Sequence, residues 1–217
     1  MAGEDRERLA ERGPVDPAVA AELPGLCLRW LEVPHGSGRS PRALKRRLAT
    51  LSDRFSGPQA MAFRAKPIPH AYRVFYRHIG LDPDEQPSGP EALVLERMLR
   101  GGFVSRSLLD DGLTIAMIES GVPLVAFDAA AVSGPPRIRP SAPGEGLDGR
   151  PSPLPPGTLV IADDVRPLAL LFGAVASGRG VGPATGRTLL VAVGVAGVPE
   201  IAIEEALWIV AEVLEGG

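Results

Sequence analysis

Glycine and proline divide the second half of the chain into short apolar runs, and this spacing constrains the fold more than any other feature. There are 26 glycines and 23 prolines among 217 residues, about twice the usual share. The runs after Gly121 are LVAFDA, PRIRP, GTLVIADD, PLALLFGAV and RTLLVAVGV. Short apolar runs between such turns are typical of strands, which predicts a mixed, mainly antiparallel sheet with Gly/Pro-rich hairpins.

Helical patterns dominate the chain before Gly121. Ser40-Pro41 predicts a helix start with Ser40 as the N-cap, and Ser88 with Glu91 has the spacing of a capping box. The predicted elements are a strand at Leu26–Val33, helices from Ser40, at His70–Ile79, after Ser88 and at Leu108–Glu119, and a closing amphipathic helix at Ile201–Leu214. Helices grouped before strands indicate the α+β class, with helices packed on the sheet.

The length of the chain fits one domain. Residues 1–17 are charged and interrupted by glycine and proline, and we expect a flexible leader there, with a single domain at 18–217. Gly134–Pro156 is expected to be a long loop. The start of the chain is charged and contains no apolar segment. We therefore expect no secretory signal and no membrane anchor, which favours a cytoplasmic protein.

Charge is distributed unevenly along the chain. The net charge is −3, but residues 1–109 carry a net +4 and residues 110–217 a net −7. Between Arg39 and Arg77 ten basic residues stand against the single acid Asp53, interleaved with Phe63, Tyr72, Phe75 and Tyr76. This stretch either contacts RNA phosphates and bases or is a solvated helix face whose aromatic side chains are core. The RNA-binding candidates are Arg42, Lys45, Arg46, Arg47, Arg64, Lys66, Arg73 and Arg77.

Other chemistry-bearing residues give weaker signals. Cys27 lies within an apolar strand pattern, which favours a buried, inert thiol over a nucleophile. His70 and His78 are about two helical turns apart, too far for simple metal chelation, and we expect no metal and no cofactor. The Asp163-Asp164 pair stands where a strand meets a turn, and a turn role is favoured over acid–base work.

The order of motifs from Pro67 to about residue 212 is similar to a known family. An arginine-containing helix ends at Gly80, Pro87-Ser88 precedes Glu91-Ala92-Leu93, and Asp111 lies on the next helix. Gly121-x-Pro123, Ala126-Phe127-Asp128, Gly144-Glu145, Val160–Asp163 and the glycine-rich Gly173–Thr185 follow. This order resembles the B3/B4 domain, the editing module of the bacterial phenylalanyl-tRNA synthetase beta subunit, and in particular its free-standing versions.

The resemblance implies a pocket that receives an aminoacylated tRNA end and hydrolyses a wrongly attached amino acid. The polar residues of that pocket are replaced here. Thr114 stands at the family's Asn, Val125 at its His, and Val191 (or Ala192) at its selecting Glu. The chain has no asparagine at all. The pocket candidates, Thr114, Val125, Phe127, Gly173, Ala176 and Val191, therefore predict a more apolar pocket than the family's.

Two kinds of function remain open from the sequence. The first is a free-standing B3/B4-like protein that binds an aminoacyl-tRNA or its amino acid and acts as a trans-editing deacylase. The second is a non-catalytic module for RNA or for an aromatic or apolar amino-acid-like ligand, or a scaffold recruited to a biosynthetic reaction. No catalytic residue stands out, and the oligomeric state stays open.

Overall fold

Helices and short strands are distributed along the chain much as their sequence patterns predict. The computed structural model describes residues 10–34, 38–55 and 57–216. The helices are α1 (Pro17–Glu22), α2 (Arg42–Asp53), α3 (Gly57–Phe63), α4 (Pro67–His78), α5 (Gly89–Arg100), α6 (Leu108–Ser120) and α7 (Glu200–Glu215). The strands are β1 (Glu11–Gly13), β2 (Cys27–Val33), β3 (Leu124–Asp128), β4 (Arg137–Pro140), β5 (Leu159–Ala162), β6 (Pro167–Leu170) and β7 (Thr188–Gly194).

The strands form two sheets instead of one. The larger sheet has the order β1-β2-β7-β3 and the smaller the order β4-β5-β6, with every neighbouring pair antiparallel. A parallel bridge from Val15 to Ile138 links the start of the chain to β4. The predicted α+β class is confirmed, and the mainly antiparallel character is confirmed with it.

Alternating side chains of β7 separate two hydrophobic cores. Leu190 and Ala192 contact the first core, which α2, α6 and α7 complete on one face of the larger sheet. Leu189, Val191 and Val193 point to the other face and contact the second core, which α4 and the smaller sheet complete. Because successive strand residues point to opposite faces, the larger sheet is buried on both sides.

Two predicted helix starts have different outcomes. The capping box at Ser88 and Glu91 is present at the start of α5, and Gly101 ends that helix in the left-handed conformation. Ser40 does not cap α2, whose N-cap position is Pro41. The Ser40 hydroxyl instead donates to the Asp111 carboxylate at 2.6 Å, joining the segment before α2 to α6. Ser40 therefore contacts a residue far away in the sequence instead of capping the helix that follows it.

Part of the predicted flexible leader at 1–17 has regular structure. Within that range, Glu11–Gly13 forms β1 and pairs with β2, while residues 1–9 lie outside the described residues. The predicted loop Gly134–Pro156 likewise contains β4, which pairs with β5. The sequence patterns missed β1 and β4 because both strands are short and have no strong pattern of their own. Each forms by pairing with another strand, β1 with β2 and β4 with β5. Sequence patterns did not identify α1 and α3.

No described helix combines the length and the apolar character that a membrane span requires.

Candidate functional site

Helix α2 presents a basic face to solvent. Leu44, Leu48 and Leu51 are buried in the first core at helical spacing, which turns Arg42, Lys45 and Arg46 outward, where all three are exposed. Within the described part of the chain none of these three cations forms an ion pair. Arg47 differs, because its guanidinium contacts the Glu119 carboxylate at 2.8 Å. We call Arg42, Lys45 and Arg46 the α2 basic face.

Arg73 has a structural environment. Its side chain is only 9% exposed, and its two terminal nitrogens reach Asp84 at 2.6 Å and Glu91, itself 7% exposed, at 3.2 Å. The Arg73 hydrogen bond lowers the pKa of the Asp84 carboxyl. A guanidinium held by two carboxylates in this way is not available to a phosphate, which corrects the prediction for Arg73.

The other predicted cations near α4 are partly engaged. Arg64 and Arg77 lie 3.6 and 4.0 Å from the Asp84 carboxylate, and both remain exposed. The Lys66 ammonium lies over the rings of Phe55 and Phe63, 5.6 and 5.3 Å from their centroids. These exposed pairs are weak, so the three cations can still contact an anion.

The aromatic side chains of the basic stretch are core residues. Phe63, Tyr72 and Tyr76 are fully buried and Phe75 is nearly so, and the Tyr72 hydroxyl donates to the Val193 carbonyl of β7 at 2.7 Å. Of the two interpretations of this stretch, base stacking by these aromatic rings is therefore wrong. The basic stretch therefore presents exposed cations to solvent, while its aromatic residues pack in the core.

The predicted pocket residues lie on different faces of the fold. Val125 pairs with Val191 across β3 and β7, and both face the second core together with Phe127. Thr114 lies on α6, which packs against the opposite face of the sheet, and its hydroxyl donates to the Asp110 carbonyl at 2.7 Å. Because a sheet separates Thr114 from Val191, these residues do not converge on one cavity.

Gly173 and Ala176 are separated from each other as well. Ala176 is buried in a small third core with Val160 and Ala162 on the outer face of β5. Gly173 lines a cleft of about 520 Å³ between α1, the end of α4 and the β5–β6 edge. Its apolar walls include Leu81 and Phe172. Its polar lining residues are Glu22, His78, Gln86 and Thr158. We call this cavity the Phe172 cleft.

Phe172 was not identified from the sequence, although its backbone is unusual. Among the described residues it is the one non-glycine residue with positive φ, at 58°. Its ring lies 5.7, 5.9 and 5.3 Å from the rings of Tyr72, Phe75 and Tyr76. Left-handed backbone costs a residue with a Cβ about 1 kcal/mol or more, and these ring contacts offset that cost. Neither composition nor periodicity signals such a position.

The remaining candidate groups have structural environments. Burial raises the pKa of the Cys27 thiol, as its strand pattern predicted for an inert cysteine. Asp163 accepts hydrogen bonds from the backbone of Ser133, Val165 and Arg166, which confirms its turn role. Within the described residues, no three potential ligands from His, Cys, Asp and Glu meet as a metal site would need.

The buried ion pair of Arg73 predicts a large loss of stability when one partner is removed. We expect Arg73→Met to lower the free energy of unfolding by about 3 kcal/mol, because it leaves the Glu91 carboxylate buried without its cation. Arg73→Met combined with Glu91→Gln should recover part of this loss. Urea denaturation measures each value. Arg77→Met is the matched control at an exposed site of α4, and an equal loss there would contradict the interpretation.

The left-handed backbone of Phe172 predicts that glycine is more stable than alanine at this position, the reverse of the usual order. Both Phe172→Ala and Phe172→Gly remove the ring contacts, but only glycine relieves the left-handed strain. We therefore expect Phe172→Gly to be more stable than Phe172→Ala by about 1 kcal/mol. Thermal and urea unfolding measure the difference. At the half-buried Phe103, which lacks a positive φ, the alanine variant should be the more stable one.

Comparison with known proteins agrees with the resemblance seen in the motifs. Relatives include the phenylalanine–tRNA ligase beta subunit of Mannheimia succiniciproducens, 41% identical over 88 residues, which are 38% of this chain and 11% of that protein. The same subunit of Legionella pneumophila is 41% identical over 78 residues, 35% of this chain and 10% of that protein. That of Xanthomonas oryzae pv. oryzae is 39% identical over 94 residues, 42% and 12% of the two chains.

These matches cover a limited part of the relatives. The chain spans about a tenth of the length of each beta subunit. The match to the family model covers a larger share of this chain. The B3/4 domain corresponds to residues 71–203, which are more than half of the chain. That range includes most of α4, all of α5 and α6, and every strand from β3 to β7. The chain therefore belongs to the B3/4 domain family.

Proposed function

We propose that this chain is a B3/4 protein that binds tRNA through the α2 basic face and does not hydrolyse the aminoacyl ester. The observation that carries the proposal is the exposed set of Arg42, Lys45 and Arg46, which has no ion-pair partner among the described residues, in a chain whose B3/4 domain is related to a tRNA ligase subunit. Three cations on one helix face suit the phosphate backbone, which supplies most of the affinity in such complexes.

The character of the basic surface favours contacts to phosphates over contacts to bases. Because the aromatic residues of α4 are buried, the exposed groups of the Arg39–Arg77 stretch include cations such as Arg64 and Arg77. Arginine and lysine on phosphates position a nucleic acid without reading its sequence. Recognition of a particular tRNA would then come from its shape or from its amino acid.

The residues that stand at the family's pocket positions support a protein that does not hydrolyse the ester. Val125 and Val191 are apolar, and Val191 is fully buried in the second core. The Thr114 hydroxyl is engaged by a backbone carbonyl on the other side of the sheet. A water molecule that attacks an ester needs polar groups to orient it and to take its proton. These three residues offer no such arrangement.

Neutralising the α2 basic face tests the tRNA proposal. Arg42→Gln combined with Arg46→Gln should weaken binding of phenylalanine tRNA and lower the slope of log affinity against log salt by about two, one for each lost phosphate contact. Fluorescence anisotropy with end-labelled tRNA over a salt series measures both quantities. Arg12→Gln with Arg150→Gln changes the net charge equally at distant exposed sites and should leave the slope unchanged.

Two results would contradict this proposal. Undetectable binding at moderate salt, or equal slopes for the two double variants, would remove the assignment of α2. The same tRNA charged with tyrosine or phenylalanine reports on hydrolysis, and we expect its ester to decay at the rate seen in buffer. Faster release in the presence of the protein would restore the trans-editing hypothesis.

A second candidate function, binding of an amino-acid-like ligand, is favoured by the Phe172 cleft. Its volume of about 520 Å³ and its apolar walls with a few polar groups are typical of small-molecule sites. The Glu22 carboxylate is exposed at the cleft and within the described residues has no cation partner, so it suits an ammonium group.

Calorimetric titration with L-phenylalanine and L-tyrosine tests the second candidate. We expect saturable binding that weakens about 10-fold in Glu22→Gln, because a charge-assisted hydrogen bond to the ammonium group is lost. Glu205→Gln removes an exposed carboxylate from α7 and should leave the affinity unchanged. If neither amino acid releases or absorbs heat, or if both variants bind alike, the cleft is not the site.

A further inference from the structure

The outer face of α5 carries large apolar side chains that no described segment covers. Leu95, Met98 and Leu99 are 49%, 43% and 88% exposed, and their spacing places them along one stripe of the helix. Met61 of α3, which is 63% exposed, lines a groove of about 200 Å³ together with Leu95 and Met98. We call Leu95, Met98 and Leu99 the α5 stripe.

Contiguity distinguishes the α5 stripe from ordinary surface residues. Single exposed apolar side chains are normal on any protein, and Val165, Val175 and Ile201 are of this kind. A contiguous apolar patch marks an interaction surface. Methionine adapts its shape easily and is frequent in such contacts. The four charged residues that line the groove form ion pairs with one another and so leave no net charge against an apolar partner: Arg64, Arg73, Asp84 and Glu91.

The charges at the two ends of α5 are opposite. The turn before the helix exposes Asp82 and Glu85. The helix end and the segment after it expose Arg100 and Arg106, by 54% and 51%, and these two cations share the single carboxylate of Glu96, which leaves a net positive charge there. A copy of the same helix packed antiparallel would bring the acidic start of one α5 toward the basic end of the other. A two-fold axis produces this arrangement, because it presents the same patch on both copies in opposite directions.

We propose that two copies of this chain associate through the α5 stripe, with their α5 helices antiparallel about a two-fold axis. Leu99, the most exposed residue of the stripe, then becomes an apolar contact of each copy beside the charged rim. The opposite charges at the rim fix the direction of packing and exclude the parallel arrangement. This association does not depend on the tRNA proposal, since it uses a different helix.

Sedimentation velocity over a range of chain concentrations tests the association. We expect a monomer–dimer equilibrium for the unaltered chain, and Leu99→Glu should raise the dissociation constant about 100-fold or more, because each dimer loses two apolar contacts and gains two charges within the interface. Ile201→Glu places the same substitution at an exposed residue of α7 and should leave the equilibrium unchanged. Circular dichroism confirms that both variants are folded.

Charge reversal tests the direction of packing. Arg100→Glu combined with Arg106→Glu makes both ends of α5 acidic, and we expect the dissociation constant to rise about 10-fold. Arg12→Glu with Arg150→Glu makes the same change in net charge away from the stripe and should have little effect.

Three results would overturn the proposal. A chain that stays monomeric at every concentration has no such interface. A dimer that Leu99→Glu leaves intact uses another surface, and equal effects of the two charge-reversal variants would exclude the antiparallel arrangement. Growth beyond the dimer without a limiting size would show an open, head-to-tail contact instead of a closed two-fold one.

Discussion

Burial of β7 along its whole length is the constraint on which the rest of the structure depends. All seven of its residues are buried, it pairs with β2 and β3, and its alternate side chains enter two different cores. A polar side chain at Val191 would need a partner within the second core, since an unpaired buried polar group costs about 1 to 3 kcal/mol. The apolar residues at this strand therefore belong to a packed centre and not to the wall of a polar pocket.

Burial also separates the cations of the first half into two groups. Arg73 points inward from α4, and its charge is matched by Asp84 and Glu91, so that it stabilises the junction of α4 and α5. The α2 basic face has no such partners in the described chain, because α2 buries its leucines and Ser52 and exposes these cations to water. Sequence position alone does not distinguish these groups; burial does.

Two surfaces with different chemistry thus lie on the helical half of the molecule. The α2 basic face suits a polyanion, and the α5 stripe suits an apolar partner whose ends carry opposite charge. The acidic C-terminal half contributes α7 instead, where Glu200 and Glu204 contact Arg29 of β2. The charge asymmetry of the chain is therefore partly compensated by ion pairs between its two halves, whereas the α2 basic face has no ion-pair partner among the described residues.

Local signals by themselves determined most of the elements: the capping box of α5, the glycines that end α5 and α6, and the apolar runs of β2 and β7. Motif order also predicted the family. Tertiary structure alone decided that the strands form two sheets, that Ser40 binds Asp111, and that Thr114 and Val191 lie on opposite sides of a sheet. The reason is physical: helix caps and turns depend on neighbours in sequence, whereas the face toward which a side chain points, and what it meets there, depends on strands and helices far away in the chain.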